Sequence, residues 1–175
     1  PPHLRTWRDG WRHLCFLLTY APHWLYVYPA LALMSIGLLG CLCLLSGPVS
    51  LGGITFANKS FMTFCMFLLS GMQIMGLGVV AAGLAGVNLP DRKMSLLAKL
   101  ASRDRLALIA AIFLALFAMT YGYCFQAWSS VDYGNMASVF VDNLAILSVV
   151  FATMAVFSFM LAFITAVCNE FVLKK

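Results

Sequence analysis

Four long apolar runs dominate the chain, and short polar segments separate them. The runs extend approximately over residues 24–45, 60–87, 106–128 and 144–167, and none contains Asp, Glu, Lys, Arg or His. Each reaches or exceeds the length of about 20 residues that an α-helix needs to cross a bilayer. Because lipid offers backbone groups no hydrogen-bond partner, the pattern predicts four transmembrane helices.

A fifth periodic segment, residues 1–23, precedes the first run and mixes bulky apolar residues with arginines. Both sets recur at helical spacing but on different sides of a helix. They are Leu4, Trp7, Trp11, Leu14 and Leu18 on one side and Arg5, Arg8 and Arg12 on the other. The segment predicts an amphipathic helix in the membrane plane that ends at Pro22, with Trp7, Trp11 and Trp24 as interfacial anchors.

The three arginines allow two functional interpretations, and their spacing does not distinguish between them. They could form a general basic anchor, in which each residue near an anionic membrane surface contributes about 1 kcal/mol. Alternatively, Arg5, Arg8 and Arg12 bind the phosphate of a particular lipid.

The longest polar connection lies between the second and third runs and is also basic. Pro90 with Asp91 has the pattern of a helix start, and apolar residues follow at helical spacing. We predict a second short interfacial helix here. The expected architecture is an amphipathic helix over residues 1–23 and a four-helix transmembrane domain over residues 24–175.

Composition places the chain among integral membrane proteins of the all-α class. Hydrophobic residues make up 63% of the 175 positions and charged residues 10%, whereas soluble domains carry roughly a quarter charged residues. The net charge of +5 does not indicate a nucleic-acid partner, because the basic residues are confined to segments outside the apolar runs. The six cysteines are scattered through apolar sequence and are expected to be small buried hydrophobic residues.

Ten of the eleven basic residues lie in segments that an even number of membrane crossings places on one side. They are Arg5, Arg8, Arg12, Arg92, Lys93, Lys99, Arg103, Arg105, Lys174 and Lys175. Lys59 alone lies between the first and second runs. By the positive-inside rule, both termini and the middle loop are expected to be cytoplasmic.

The sequence offers no catalytic or metal-binding motif. Its six acidic residues are isolated, and it contains no DxD, GxGxxG, P-loop or GxSxG motif. His3, His13 and His23 are ten positions apart, which separates neighbours by about 15 Å along a helix axis. We therefore expect no catalytic residue, no metal and no cofactor on this chain.

Small residues recur every four positions on two of the predicted spans. The rows are Gly78, Ala82 and Gly86 in the second span and Ser158, Ala162 and Ala166 in the fourth. Such rows let helix backbones approach closely, so we interpret them as packing faces. Gln73 and Gln126 are polar residues inside the runs, and they favour interhelical hydrogen bonds over substrate contacts.

The opening sequence PPHLRTWRDGWRHLCFLLTYAPHWLYVYPAL and the outer loop GPVSLGGITF resemble a known family. They are similar to the region that follows the catalytic domain in bacterial family 2 glycosyltransferases of the polyprenyl-phosphate, dolichyl-phosphate mannosyltransferase-like type. The sequences GMQ at 71–73 and DRLAL at 104–108 extend the resemblance over most of the chain.

The resemblance implies that a cytoplasmic catalytic domain, absent from this sequence, takes a sugar from a nucleotide sugar. This membrane part would anchor that domain and present a polyprenyl phosphate acceptor near Arg5, Arg8 and Arg12. A chain that begins at the interfacial helix is expected to be either a fragment or a free-standing membrane half. The expected location is the bacterial plasma (inner) membrane. Expected partners are membrane lipids, a catalytic domain or partner subunit and, as a further option, a second copy of the chain.

A second hypothesis assigns the chain no enzymatic role. It would be a four-helix scaffold, or an accessory subunit, that assembles a larger membrane complex through its small-residue faces. A third, a small carrier or flippase subunit, is weakened because the predicted spans contain no ionisable carboxylate, histidine, lysine or arginine.

Cysteines introduced at Lys59 and Lys99 test the predicted orientation. In cells that express the chain without its native cysteines, an impermeant maleimide should label Lys59→Cys from outside. Lys99→Cys should remain unlabelled until the membrane is permeabilised, because the two loops face opposite sides. Labelling of both positions from the same side would contradict the orientation.

Overall fold

The computed structural model describes residues 6–20, 23–84, 102–134 and 138–171 of the chain. Within these residues, the elements follow in the order α1 (Thr6–Tyr20), a π-helical segment (His23–Val27), α2 (Tyr28–Leu44), β1 (Val49–Leu51), β2 (Ile54–Phe56), α3 (Asn58–Leu84), α4 (Arg103–Ser129) and α5 (Val139–Phe171).

Four of the described segments are long and apolar enough to cross a membrane. They are Trp24–Leu44, Asn58–Ala81, Arg103–Ser129 and Val139–Val167. They correspond to the four predicted spans, so the all-α integral membrane class is confirmed. The second interfacial helix, predicted after Pro90, lies outside the described residues. The division of the chain into residues 1–23 and 24–175 stays a prediction.

The first span begins with a π-helical turn, which the hydrophobic pattern did not predict. The segment His23–Val27 leads directly into α2, whose second residue is Pro29. A proline lacks a backbone N–H, and its ring crowds the carbonyl four residues earlier, which here belongs to Leu25. A wider π turn relieves that crowding and keeps the backbone helical as the apolar run begins.

The long helices pack as two pairs that are joined through one helix of each pair. Helix α2 lies against α3, α4 lies against α5, and α3 contacts α5. The larger core cluster joins α2, α3 and α5. Its buried members are Cys41, Leu44, Phe61, Cys65, Leu68, Val150 and Met154. Between α4 and α5, the rings of Phe113 and Phe151 stack with their centroids 6.3 Å apart.

Glycines allow α2 and α3 to approach until their backbones touch. A Cβ on Gly37 would lie 2.7 Å from both the backbone nitrogen of Leu68 and the carbonyl oxygen of Phe64. A Cβ on Gly71 would lie 2.8 Å from the carbonyl oxygen of Ala30. Because backbone atoms cannot move aside as a flexible side chain can, a larger residue at either glycine must separate the helices.

A two-stranded antiparallel hairpin connects α2 to α3. Gly52 and Gly53 form its two-residue turn with φ values of +58° and +83°, the left-handed pair that a type I′ turn requires. The hydroxyl groups of Ser50 and Thr55 lie 3.2 Å apart on its polar face. On the other face, Phe56 packs against the larger core cluster. The sequence predicts only an outer loop at this segment, and the short hairpin is an addition to the predicted helical fold.

The start of α5 lies beside the end of α2. The side-chain amide of Asn143 donates a hydrogen bond of 2.9 Å to the carbonyl oxygen of Leu44, and Asn143 is 1% exposed. Leu44 is the last residue of α2, so its carbonyl has no partner within the helix. It accepts instead from the backbone N–H of Gly47 at 3.2 Å and from the side chain of Asn143. The β-hairpin and the connection between α4 and α5 therefore lie at the same end of the bundle, which we call the hairpin end.

Replacing Gly37 with alanine is expected to destabilise the bundle by about 1–3 kcal/mol, the usual cost of overpacking, because the added methyl group meets backbone atoms of α3. The matched control is Gly122→Ala in α4, where an added Cβ meets nothing within 4 Å and alanine favours the helix by up to about 1 kcal/mol. Thermal unfolding in detergent measures both. Equal midpoints for Gly37→Ala and the parent would contradict the close approach.

Candidate membrane-interface site

The amino-terminal half of α1 is exposed on nearly every side. Trp7 is 86% exposed and Trp11 is 58% exposed, and Arg8, Gly10 and Arg12 are exposed as well. Helix α1 touches the bundle through α3. Two large exposed tryptophans on one short helix are typical of a membrane interface, where the ring lies in an apolar layer and its N–H stays near water.

The side chains of α1 divide into an aromatic face and a basic face. The two tryptophans lie one helical turn apart, and Arg8 and Arg12 lie one turn apart about 100° further around the axis. Neither guanidinium pairs with a carboxylate in the part of the chain that the structure describes. A salt bridge elsewhere joins Arg103 Nε to Asp104 Oδ1 at 3.3 Å. Helix α1 therefore presents charged donors next to its aromatic face.

An aromatic junction connects α1 to the bundle. A Cβ on Gly78 would lie 2.6 Å from the Cβ of Tyr26, so the π-helical segment lies directly on α3 at this glycine. In the same junction, the rings of Trp24 and Tyr28 have centroids 4.9 Å apart, and Trp24 is 69% exposed. Gly78 thus determines how closely the segment that follows α1 approaches the bundle.

The start of α4 lies at this same end of the bundle. Leu106, in the first turn of α4, is buried with Leu161 and Ala162 of α5, and Val80 of α3 packs against them. Val80 is only two residues beyond Gly78 on the same helix. The start of α4 and the π-helical segment therefore share one end of the bundle, opposite the hairpin end, and we call it the basic end.

Four exposed arginines occupy the basic end. Arg103 and Arg105 lie in the first turn of α4, and Arg8 and Arg12 lie on α1. Lys59, the remaining basic residue among those described, lies at the hairpin end at the start of α3. The described basic residues thus divide between the two ends as the positive-inside pattern expects. The orientation of the bundle in a membrane stays a prediction.

Two of the three predicted phosphate-binding arginines are described, and both lie on the basic face of α1. Arg8 and Arg12 are exposed, and Arg5 lies outside the described residues. The three predicted anchor tryptophans are all exposed. The structure brings these side chains to one end of the bundle, and their binding and anchoring roles stay predictions.

The two predicted small-residue rows lie in different surroundings. Ser158 and Ala162 are buried in α5, and Ala166 is half-buried. Gly78 packs on the π-helical segment rather than on a transmembrane partner. The side chain of Ala82 and the whole of Gly86 lie outside what the structure describes.

The interhelical hydrogen bonds expected of Gln73 and Gln126 are not found. Both side chains are exposed, and among the described residues neither makes a hydrogen bond. Each glutamine lies on a helix face turned away from the neighbouring helices. The hydrogen-bond energy of one amide is too small to outweigh the packing of the many apolar side chains that determine which face is buried.

Arg103 and Arg105 were not among the predicted binding residues. The sequence SRDRL contains a signal for them, because a serine before an apolar run marks a helix start, and here two arginines follow within the first turn. Their proximity to α1 could not be predicted from the sequence, because it depends on which helices pack together.

The geometry defines a class of protein first: a polytopic membrane domain with one basic, aromatic end. Its family follows from comparison, because residues 76–169 match the family model described as the glycosyltransferase family 2 C-terminal transmembrane region. The match covers more than half of the chain, and the chain belongs to this family. The matched region begins at Gly76 and leaves out the opening sequence that carried much of the resemblance.

One similar protein is the low-salt glycan biosynthesis hexosyltransferase Agl6 of Haloferax volcanii. It is 36% identical over 76 residues, which is 43% of this chain and 18% of that relative. The chain therefore corresponds to less than a fifth of the relative's length. No solved structure matches the chain.

Fluorescence quenching tests whether the aromatic face of α1 enters the lipid. A variant that keeps only Trp7, with Trp11, Trp24 and Trp128 changed to Phe, should be quenched strongly by lipids brominated near the carbonyl end of the acyl chain, because the ring is expected at headgroup level. A variant that keeps only Trp128, at the hairpin end, is the control for an interfacial tryptophan. Quenching of Trp7 by aqueous acrylamide but not by brominated lipid would contradict the prediction.

Proposed function

We propose that this chain is the membrane-anchoring and acceptor-presenting domain of a glycosyltransferase that moves a sugar from a nucleotide sugar to polyprenyl phosphate. The catalytic domain would lie in the cytoplasm, on the same polypeptide or on a partner subunit. Membership of the family supports the link to a glycosyltransferase. The activity named for the Haloferax volcanii relative supports a hexosyl group as the transferred sugar.

The observation that carries the proposal is the gathering of exposed arginines with exposed tryptophans at the basic end. A guanidinium forms paired, charge-assisted hydrogen bonds with phosphate oxygens. The adjacent tryptophans would hold α1 at the depth of the lipid headgroups. An acceptor with a phosphate head and a long apolar tail presents both features at that depth, so its phosphate would meet Arg8 and Arg12.

Presentation of the acceptor is a catalytic contribution even without catalytic residues on this chain. A polyprenyl tail keeps the acceptor in the bilayer, while a nucleotide sugar stays in water, so the two must be brought together at the surface. Holding two reactants in place removes much of the entropic cost of their encounter. With both termini cytoplasmic, as the basic residues predict, the basic end would face the compartment that contains the nucleotide sugar.

Alanine at Arg5, Arg8 and Arg12 together tests the acceptor role. In membranes that contain the full-length gene product, formation of lipid-linked sugar should fall through a higher KM for the lipid acceptor. A loss of about 1 kcal/mol per arginine corresponds to a rise in KM of about a hundredfold. Lys59→Ala, at the hairpin end, is the matched control and should leave the KM unchanged.

Lysine at the same three positions separates the two interpretations of these arginines. A general anchor needs only positive charge, so the lysine variant would behave like the parent. Paired hydrogen bonding to a phosphate requires the planar guanidinium, so the lysine variant should recover only part of the activity. An unchanged KM for the lipid acceptor in the alanine variant would remove the proposed role. Co-purification of stoichiometric partners without any transferase activity would favour the scaffold hypothesis instead.

A further inference from the structure

Two cysteine side chains meet between α2 and α3 inside the membrane-spanning part. The Sγ atoms of Cys41 and Cys65 lie 3.5 Å apart, and each residue is 4% exposed. Cys41 lies three residues before the end of α2, and Cys65 lies seven residues after the start of α3. At a rise of 1.5 Å per residue, they lie about 4.5 Å and about 10 Å from the helix termini at the hairpin end.

The glycine contacts between α2 and α3 explain why these two thiols meet. A Cβ on Gly40 would overlap the ring of Phe64, and these residues immediately precede the two cysteines in sequence. One turn earlier on α2, Gly37 approaches the backbone of α3. The close approach of the two helices lets the Cys41 and Cys65 side chains meet, and the short geometry of a disulfide requires such an approach.

The other described cysteines have different surroundings. Cys43 is exposed, two residues from Cys41. The thiol of Cys124 in α4 lies 3.7 Å from the carbonyl oxygen of Val141, to which it donates. Within the described residues, no group of three or more His, Cys, Asp or Glu side chains comes together that could hold a metal ion. The chemistry open to Cys41 and Cys65 is therefore that of a dithiol.

We propose that Cys41 and Cys65 form an oxidisable pair that closes to an intramembrane disulfide. Two S–H bonds break and one S–S bond forms, and the two protons and two electrons reduce a lipid-soluble quinone to its hydroquinone. Both cysteines lie within membrane-spanning segments, so a lipid-soluble oxidant is expected to reach them more readily than a water-soluble one. The bond joins residues 24 positions apart, encloses the β-hairpin in a covalent loop and fixes α2 to α3.

Peptide mapping after oxidation tests the pair directly. The whole chain, in phospholipid nanodiscs, is treated with a short-tailed benzoquinone whose ring is fully substituted, so that the quinone cannot add to a thiol. Remaining thiols are then alkylated, and the protein is digested without reductant. We expect a linked pair of peptides that contain Cys41 and Cys65, lost on treatment with a phosphine. Oxidation should also raise the midpoint of thermal unfolding, and the phosphine should reverse that shift.

Serine variants assign the bond to its residues. Cys43→Ser, the matched control two residues away, should keep the linked peptides and the thermal shift, and Cys41→Ser and Cys65→Ser should each abolish both. Because the linked peptides are measured in the parent chain, the test does not depend on the folding of any variant. The proposal is overturned if oxidation leaves both thiols open to alkylation, or if the linked peptides contain Cys43 in place of Cys41.

Discussion

Hydrocarbon offers no hydrogen-bond partner, and this constraint shapes most of the structure. It requires every backbone group that crosses the bilayer to be satisfied within its own helix. Several hydroxyl groups inside the spans obey the same constraint by donating to carbonyl oxygens of the preceding turn. Examples are Thr120 to Leu116 at 2.8 Å, Ser148 to Ala145 at 2.7 Å and Thr165 to Ala162 at 2.9 Å. Non-helical backbone, in the described residues between the spans, is confined to the ends of the bundle.

Only two buried side-chain polar atoms among the described residues lack a hydrogen-bond partner. Asn143 Oδ1 and Ser158 Oγ are buried and have no hydrogen-bond partner among the described residues. An unpaired buried polar atom costs about 1–3 kcal/mol, so few can be tolerated. Asn143 offsets its cost by donating a second hydrogen bond to the last carbonyl of α2, which also accepts from the backbone N–H of Gly47. The small size of Ser158 suits the crowded face of α5 on which it lies.

Features that depend on local sequence could be predicted, and features that depend on helix neighbours could not. The four spans and the helix at Thr6–Tyr20 follow from apolar length and from spacings of three and four residues. The hairpin also had a local signal, because two glycines between alternating apolar and hydroxyl residues favour a type I′ turn. The hydrophobic pattern alone predicts only a loop between spans at this segment.

The contacts between helices had no such signal. The touching backbones at Gly37 and Gly71, and the bond from Asn143 to Leu44, join residues that only the packing of the bundle brings together. The same limit applies to the candidate site. The arginines of α1 were predicted from their spacing, but Arg103 and Arg105 join them only because α4 starts at the end of the bundle where α1 enters.

The hydrogen bond between Asn143 and Leu44 has a consequence for biogenesis. Helices that pair most closely are neighbours in the sequence, so each pair can close soon after its second helix inserts, with little loss of chain entropy. The amide of Asn143, however, reaches its carbonyl only after the last span has entered beside the first. Until then, the carbonyl oxygen of Leu44 accepts only from the nearby backbone N–H of Gly47, and insertion of the fourth helix adds the second donor. The order of synthesis thus leaves one of the two lone pairs of this carbonyl without its protein donor until the last helix is in place.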